Sequence, residues 1–247
     1  MNTKVIVSLT SHTKERLKNL PYFLYYSILQ YNYNYVKIVL TLTEEDIKNI
    51  SPELQMLIDT NKVELLKAEK DLKSMLKFFY AMKKYRDLPV ITIDDDCIYP
   101  KQMIPDLLEL HEKYPDVILA RSAYLVEKNK LHSNWLSIAM GLTITWFANA
   151  YVNQIRTDIG PEGYGGVLYP PNILELSDEN IPEMTDFLSI RVDDIYLTLL
   201  GQRKHLKYMV PFYKYNKLDM TTKGIDAISL QPDIDKISDI LVQKYFK

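Results

Sequence analysis

Apolar and polar positions alternate in blocks along the first half of the chain. Lys4 to Thr10 (KVIVSLT) is short, apolar and β-branched, the pattern of a buried strand. From Lys14 to Gln30 the spacing of Leu17, Leu20, Leu24 and Ile28 predicts a helix, and Pro21 within it predicts an interruption or a later start. Val36 to Leu42 reads as a second strand. Thr43 caps a short helix that opens Glu44-Glu45-Asp46, acids suited to the helix dipole. Ser51-Pro52-Glu53 opens another helix, and Val63 to Leu66 is a third strand. Asp71 to Tyr85 carries the clearest stripe: Leu72, Met75, Leu76, Phe79, Met82 and Tyr85. A fourth strand from Val90 runs into Asp94. Pro105 to Tyr114 then reads as helix, and Val117 to Ala120 as strand. Such alternation predicts a doubly wound α/β fold, with a mostly parallel central sheet flanked by helices and right-handed crossovers.

The second half is less regular. Tyr164-Gly165-Gly166-Val167-Leu168-Tyr169-Pro170-Pro171 predicts a tight turn, a short strand and a stop. A helix is expected from Asp193 to Gly201, a last strand from His205 to Pro211 and a C-terminal helix from Ile234 to Tyr245. Trp135 to Ala150 is the most apolar stretch. It is shorter than a spanning helix and holds Ser137, Thr143, Thr145 and Asn149, so it reads as core or as the wall of a site. With no repeat or linker, one domain over 1–247 is expected.

Composition narrows the classes. The 247 residues are 47% hydrophobic and 25% charged, enough for a substantial core. The net charge of −2, with no basic block, argues against nucleic acid as a partner. Cys97 is the only cysteine, which excludes an internal disulfide and suits a reducing compartment. The N-terminal apolar run is too short for a signal peptide, so a cytoplasmic location is expected. The nineteen tyrosines are read as compositional.

Candidate chemistry concentrates in two acidic segments. Asp94, Asp95 and Asp96 follow a buried strand, where like charges repel and are costly to desolvate. Such a cluster suits a hard cation, Mg²⁺ or Mn²⁺, bridging a nucleotide diphosphate. On an extended chain Asp94 and Asp96 share a face, and Asp95 points away. Asp193-Asp194, at a helix start, reads either as a cap or as a general base toward a sugar hydroxyl. Lys73, Lys77, Arg16 and Arg121 are either solvated or placed to neutralise a diphosphate. His12 and His205 lack a second histidine at ligand spacing, which argues against zinc.

Together these segments resemble a GT-A-type glycosyltransferase, and more narrowly a bacterial family of small transferases associated with surface polysaccharides such as lipopolysaccharide and capsule. The resemblance rests on Val7-Ser8-Leu9-Thr10-Ser11, Ser74 to Met82, Ile91-Thr92-Ile93-Asp94-Asp95-Asp96 with Tyr99-Pro100, Arg121, Gly165 to Pro171 and Asp193-Asp194-Ile195-Tyr196. It implies a nucleotide-sugar donor, usually a UDP-sugar, an Mn²⁺ or Mg²⁺ cofactor, and a glycan or lipid-linked acceptor reached at the inner face of the membrane. By this likeness 1–120 is the donor half and 121–247 the acceptor half. The triplet is then an Asp-x-Asp motif in which Asp96 ligates metal and Asp94 faces the ribose or donor sugar as well as the metal. Thr10, Ser11, Arg16, Lys77, Asp95 and Arg121 complete the donor site, and Gly165, Gly166 and Tyr169 touch the acceptor. Asp194 is the base of an inverting displacement, ionised near neutral pH by the helix terminus, with Asp193 beside it. The family has a His-Lys-Lys run where this chain has Met75-Leu76-Lys77, so only Lys77 carries over. Two rival classes are a metal-dependent phosphotransferase, whose nucleophilic aspartate would end the first strand, and a non-catalytic nucleotide-sugar or glycan-binding module, which needs no base.

Overall fold

The computed structural model describes residues 3–127, 130–131, 152–188, 193–211 and 219–220. The apolar stretch Trp135 to Ala150 and the helix expected over Ile234 to Tyr245 lie outside the described residues.

The first half alternates as its pattern predicts: β1 (Val5–Thr10), α1 (Lys14–Ser27), β2 (Val36–Leu42), α2 (Glu44–Ile47), α3 (Pro52–Asp59), β3 (Glu64–Lys67), α4 (Leu76–Lys84), β4 (Val90–Thr92), β5 (Cys97–Ile98), α5 (Met103–Lys113) and β6 (Val117–Ala120). Then come β7 (Ala123–Glu127), β8 (Lys130–Leu131), β9 (Ile159–Pro161), β10 (Val167–Tyr169), α6 (Ile181–Leu188), α7 (Asp193–Arg203), β11 (Lys207–Met209) and β12 (Asp219–Met220). The main sheet has seven strands in the order β11-β6-β10-β4-β1-β2-β3. Only β10 runs against its neighbours, pairing antiparallel with both β4 and β6. The expected mostly parallel sheet is therefore present.

Both sheet faces are covered, which is why its strands read as near-continuous apolar runs. Side chains alternate along β1. Val5, Val7 and Leu9 join Leu17, Leu20 and Leu24 of α1, Leu54 of α3 and Leu107 of α5 in one core. Ile6 points the other way, packing with Ala81 of α4. A second large core sets Phe78 and Phe79 of α4 and Met184 of α6 against Ile195, Leu199 and Leu200 of α7.

Four boundaries differ from the sequence reading. Helix α1 runs through Pro21 without interruption. Its buried stripe of Leu17, Leu20, Phe23 and Leu24 holds the helix across the missing N–H. The helix expected from Asp71 begins only at Leu76, after a tight turn at Lys73–Met75. There the Asp71 carboxylate accepts the Lys73 N–H at 2.9 Å, and Lys73 takes a φ of 51°. Strand β4 stops at Thr92, so the aspartate triplet lies on the following turn. Helix α6 was not expected, although Ser177 and Asn180 form a capping box ahead of it.

Candidate functional site

Strand order places a crevice where ligands of open α/β sheets bind. From β1 the chain builds β2 and β3 on one side, then crosses to lay β4 on the other. That reversal leaves the carboxyl ends of β1 and β4 side by side, with Ser8 opposite Thr92. Thr10 and Ser11 leave the end of β1 there, and the aspartate triplet leaves the end of β4. Antiparallel β10 brings its leading turn, Gly163–Gly165, to the same edge, because Val167 pairs with Thr92. The first turn of α7 closes the group with Asp193 and Asp194.

Lys77 is the centre of this arrangement. Its side chain is only 6% exposed, and its ammonium lies 2.7 Å from Asp94 and 3.0 Å from Asp193. The Ser8 hydroxyl donates to the Lys77 carbonyl at 2.6 Å, fixing the first turn of α4 to β1. Burial by itself would lower the affinity of Lys77 for its proton. The charges of Asp193, Asp94 and Asp194 outweigh it and raise that affinity. The ammonium is therefore charged at any ordinary pH.

The triplet divides into different roles. The Asp95 carboxylate is buried, accepting from Ser11 at 2.5 Å and from Arg16 at 2.5 Å. It ties β1 and α1 to the turn. Arg16 also reaches Asp96 at 3.3 Å. Asp94 and Asp96 stay open, with side chains 30% and 26% exposed. Burial, and then the charges of Asp94 and Asp95, raise the pKa of Asp96. Because the triplet is on a turn, the extended-chain argument for a shared face does not apply; exposure, not alternation, separates Asp94 and Asp96 from Asp95.

Among the described residues no three metal-ligating side chains converge. The open donors are nevertheless all carboxylate oxygens, and Asp96 sits in an excess of negative charge. A hard divalent ion that shares its coordination between one or two carboxylates and substrate phosphates fits such a rim.

Asp194 departs from expectation. Its carboxylate accepts the Gly163 N–H at 3.0 Å. Burial and the adjacent charge of Asp193 push its pKa well above the usual carboxylate range, and Lys77 only partly opposes them. The helix terminus was expected to favour the ionised form; desolvation and like charges from Asp193, Glu162 and Asp94 raise the pKa instead. Loop residues 189–192 before it lie outside the described residues.

Other candidates have contacts of their own. Thr10 donates its hydroxyl to the Thr41 carbonyl at 2.8 Å and so spans β1 and β2. Arg121 is buried just after β6, and its charge acts on Asp106 of α5. Tyr169 is also buried, its ring packed edge-on against Phe78 at 5.6 Å. Gly165 and Gly166 serve the backbone. A Cβ on Gly165 would crowd Ser122, and Gly166 holds a φ of 89° with the Met103 sulfur against it.

Sequence reasoning missed Glu162, Gly163 and Ser122. Glu162 is buried just after β9 and accepts from the Ser122 hydroxyl. A Cβ at Gly163 would stand 3.2 Å from both Asp194 Oδ1 and Lys77 Nζ, so glycine lets the turn approach the acids. A lone acid in Pro161-Glu162-Gly163 looks like a solvated turn in sequence. Only the pairing of β9 with β7 places it inside.

No protein-family model and no curated protein sequence matches this chain. Solved structures do. TarS 1-349 of S. aureus in complex with UDP-GlcNAc superposes over 99% of this chain and 66% of its own, with a TM-score of 0.52 and 11% identity. The fold is GT-A-like. A mannosyltransferase from Pyrobaculum calidifontis, PcManGT, in complex with GDP-Man and Mn²⁺, aligns over 85% of this chain and 54% of its own at a TM-score of 0.49 and 10% identity. An apo UDP-glucose pyrophosphorylase aligns over 99% of both chains at 0.47 and 11%. The chain thus spans about half to two thirds of the two transferase chains it matches. On this GT-A-like frame the acid-bearing turn follows β4 at the switch point, where ligands of open α/β sheets bind.

Proposed function

We propose that the protein is a metal-dependent glycosyltransferase, of hexosyltransferase type, that moves a sugar from a nucleotide-sugar to a hydroxyl of a glycan or lipid-linked acceptor with inversion. One observation carries this reading: the Lys77 ammonium bridges Asp94 and Asp193, so that acids suited to a metal-bound diphosphate and acids suited to proton transfer share one site. A shared fold makes no donor certain by itself, but the related structure holds UDP-GlcNAc, so UDP-sugars are the first donors to try.

Asp96 and Asp94 would hold Mn²⁺ or Mg²⁺. Bound there, the ion supplies Lewis-acid stabilisation of the leaving diphosphate. Lys77 adds a buried positive charge beside the same phosphates, where a low-dielectric setting strengthens its effect. Asp194 takes the proton of the acceptor hydroxyl as that oxygen attacks the anomeric carbon. A raised pKa makes the carboxylate form of Asp194 a stronger proton acceptor. Gly163 holds Asp194 in place through its amide. Asp193 keeps Lys77 between the two acidic segments. The buried, unpaired Cys97 fits a cytoplasmic enzyme that meets lipid-linked acceptors at the inner membrane face. No helix of the described residues is long and apolar enough to cross a membrane.

The test is a screen of UDP-, GDP- and CMP-sugars with NMR analysis of products, followed by Asp194→Asn. The substitution keeps shape and removes the proton acceptor, so kcat should fall about 10²–10⁴-fold with calorimetric donor affinity little changed. Donor binding without turnover in the wild-type chain would favour a binding module. Normal turnover in Asp194→Asn would place the base elsewhere.

A further inference from the structure

A second buried acid stands behind the turn that holds Asp194. Glu162 directly follows β9, and its N–H donates to the Ser122 carbonyl at 2.9 Å. Its carboxyl accepts from the Ser122 hydroxyl, which also lies 3.2 Å from the Tyr164 hydroxyl. The Gly165 N–H returns to the Glu162 carbonyl at 3.3 Å and closes the turn. Within that turn the Gly163 amide donates to Asp194. The Tyr164 carbonyl accepts from Tyr99, whose hydroxyl in turn accepts the Asp94 N–H at 2.9 Å. One turn of four residues therefore touches both acidic segments, and Glu162 is its buried side-chain anchor.

We propose that Glu162 is a positioning residue: through Ser122 and Tyr164 it fixes the 162–165 turn, and so the Gly163 amide that orients the Asp194 carboxyl. This rests on the reading of Asp194 as the proton acceptor. Glu162 itself is 2% exposed and does not reach a substrate. Either protonation state of its carboxyl can accept the Ser122 hydroxyl, so a glutamine, which keeps an acceptor oxygen, substitutes for the function and an alanine does not. Burial raises the pKa of Glu162 to about 7, which agrees with a role that needs an acceptor atom more than a charge.

Sequence makes the test specific. Glu162-Gly163 is the only Glu-Gly pair in the chain, and no Gln-Gly or Ala-Gly pair occurs. Labelling with carbonyl-¹³C at residue 162 and ¹⁵N-glycine therefore isolates the Gly163 amide in wild type, Glu162→Gln and Glu162→Ala. The amide is expected to exchange with solvent at least about tenfold faster in Glu162→Ala, with protection restored in Glu162→Gln. In parallel, kcat should fall about tenfold or more in Glu162→Ala with donor KM little changed, and Glu162→Gln should recover most of the loss. A Gly163 amide unchanged in Glu162→Ala overturns the proposal. An amide that moves as expected in a wild-type chain that transfers no sugar overturns the glycosyltransferase reading and leaves the anchoring role standing.

Discussion

Glu162 also carries a pH dependence of stability that can be worked out from one residue. Its carboxyl titrates at about 7 in the fold against an ordinary 4.5, because burial disfavours the charged form and the Ser122 hydrogen bond only partly compensates. Between those two values the folded state binds the extra proton. Stability is therefore greatest below about 4.5 and declines as pH rises toward 7. A shift of that size corresponds to at most about 3 kcal/mol. Glu162→Gln cannot ionise and escapes the loss. Thermal melts should find it level with wild type near pH 4.5 and more stable at pH 8. A wild-type chain as stable as Glu162→Gln at pH 8 would show that the carboxylate is already compensated.

Edge strand β3 offers a prediction of opposite sign. Glu64 is partly buried, which alone would raise its pKa. The hydrogen bonds from Lys84 at 2.8 Å, Tyr85 at 2.6 Å and Lys37 at 3.0 Å lower it instead, to about 2. These bonds join β3 to β2 and to the end of α4. The stabilisation is complete above the ordinary 4.5 and is lost as pH falls toward 2. With a side chain 26% exposed, solvent screening reduces the contribution to about 1–2 kcal/mol. Glu64→Gln should melt lower than wild type at pH 7, with the gap narrowing at pH 3. Equal melting points at pH 7 would make the three bonds energetically idle. Elements such as β1 were legible in sequence because a strand covered on both faces is a plain apolar run, and because Thr43 and Ser51 announce their helices. The first turn of α4 was not, since the Asp71 side chain redirects the backbone at Lys73. Nor were β5 and β12, two-residue strands too short to carry a period. In the site, the acids and Lys77 were readable as charged residues in unlikely company. Glu162 was hidden because its burial depends on β9 meeting β7, a pairing about 35 residues apart that no local pattern encodes.

At the scale of the whole molecule, the two acidic segments are held together by paired charges. Lys77 of the first half joins Asp94 to Asp193 of the second, and Arg16 covers Asp95 and Asp96. Lys77 and Arg16 thus pair with four aspartates, an excess of negative charge that a divalent ion would relieve. If Mn²⁺ and a nucleoside diphosphate bind this rim together, each should need the other, since the phosphates complete the coordination that two carboxylates begin. UDP at about a hundred times its dissociation constant, with Mn²⁺, should stabilise the fold by about 2.7 kcal/mol, or a rise in Tm of about 5–10 °C for a chain this long. UDP in EDTA should give no rise. Asp96→Asn is the informative variant, because Asp96 is partly open and its partner, Arg16 at 3.3 Å, keeps a shorter bond to Asp95. Exposed ion pairs of this kind are worth about 0–1 kcal/mol, so the unliganded Tm should hardly move. The response to UDP with Mn²⁺ should disappear, together with turnover. A full thermal shift from UDP in EDTA would show that Lys77 and Arg16 bind the diphosphate without a metal, and one in Asp96→Asn with Mn²⁺ would show that Asp96 is not needed to hold the ion.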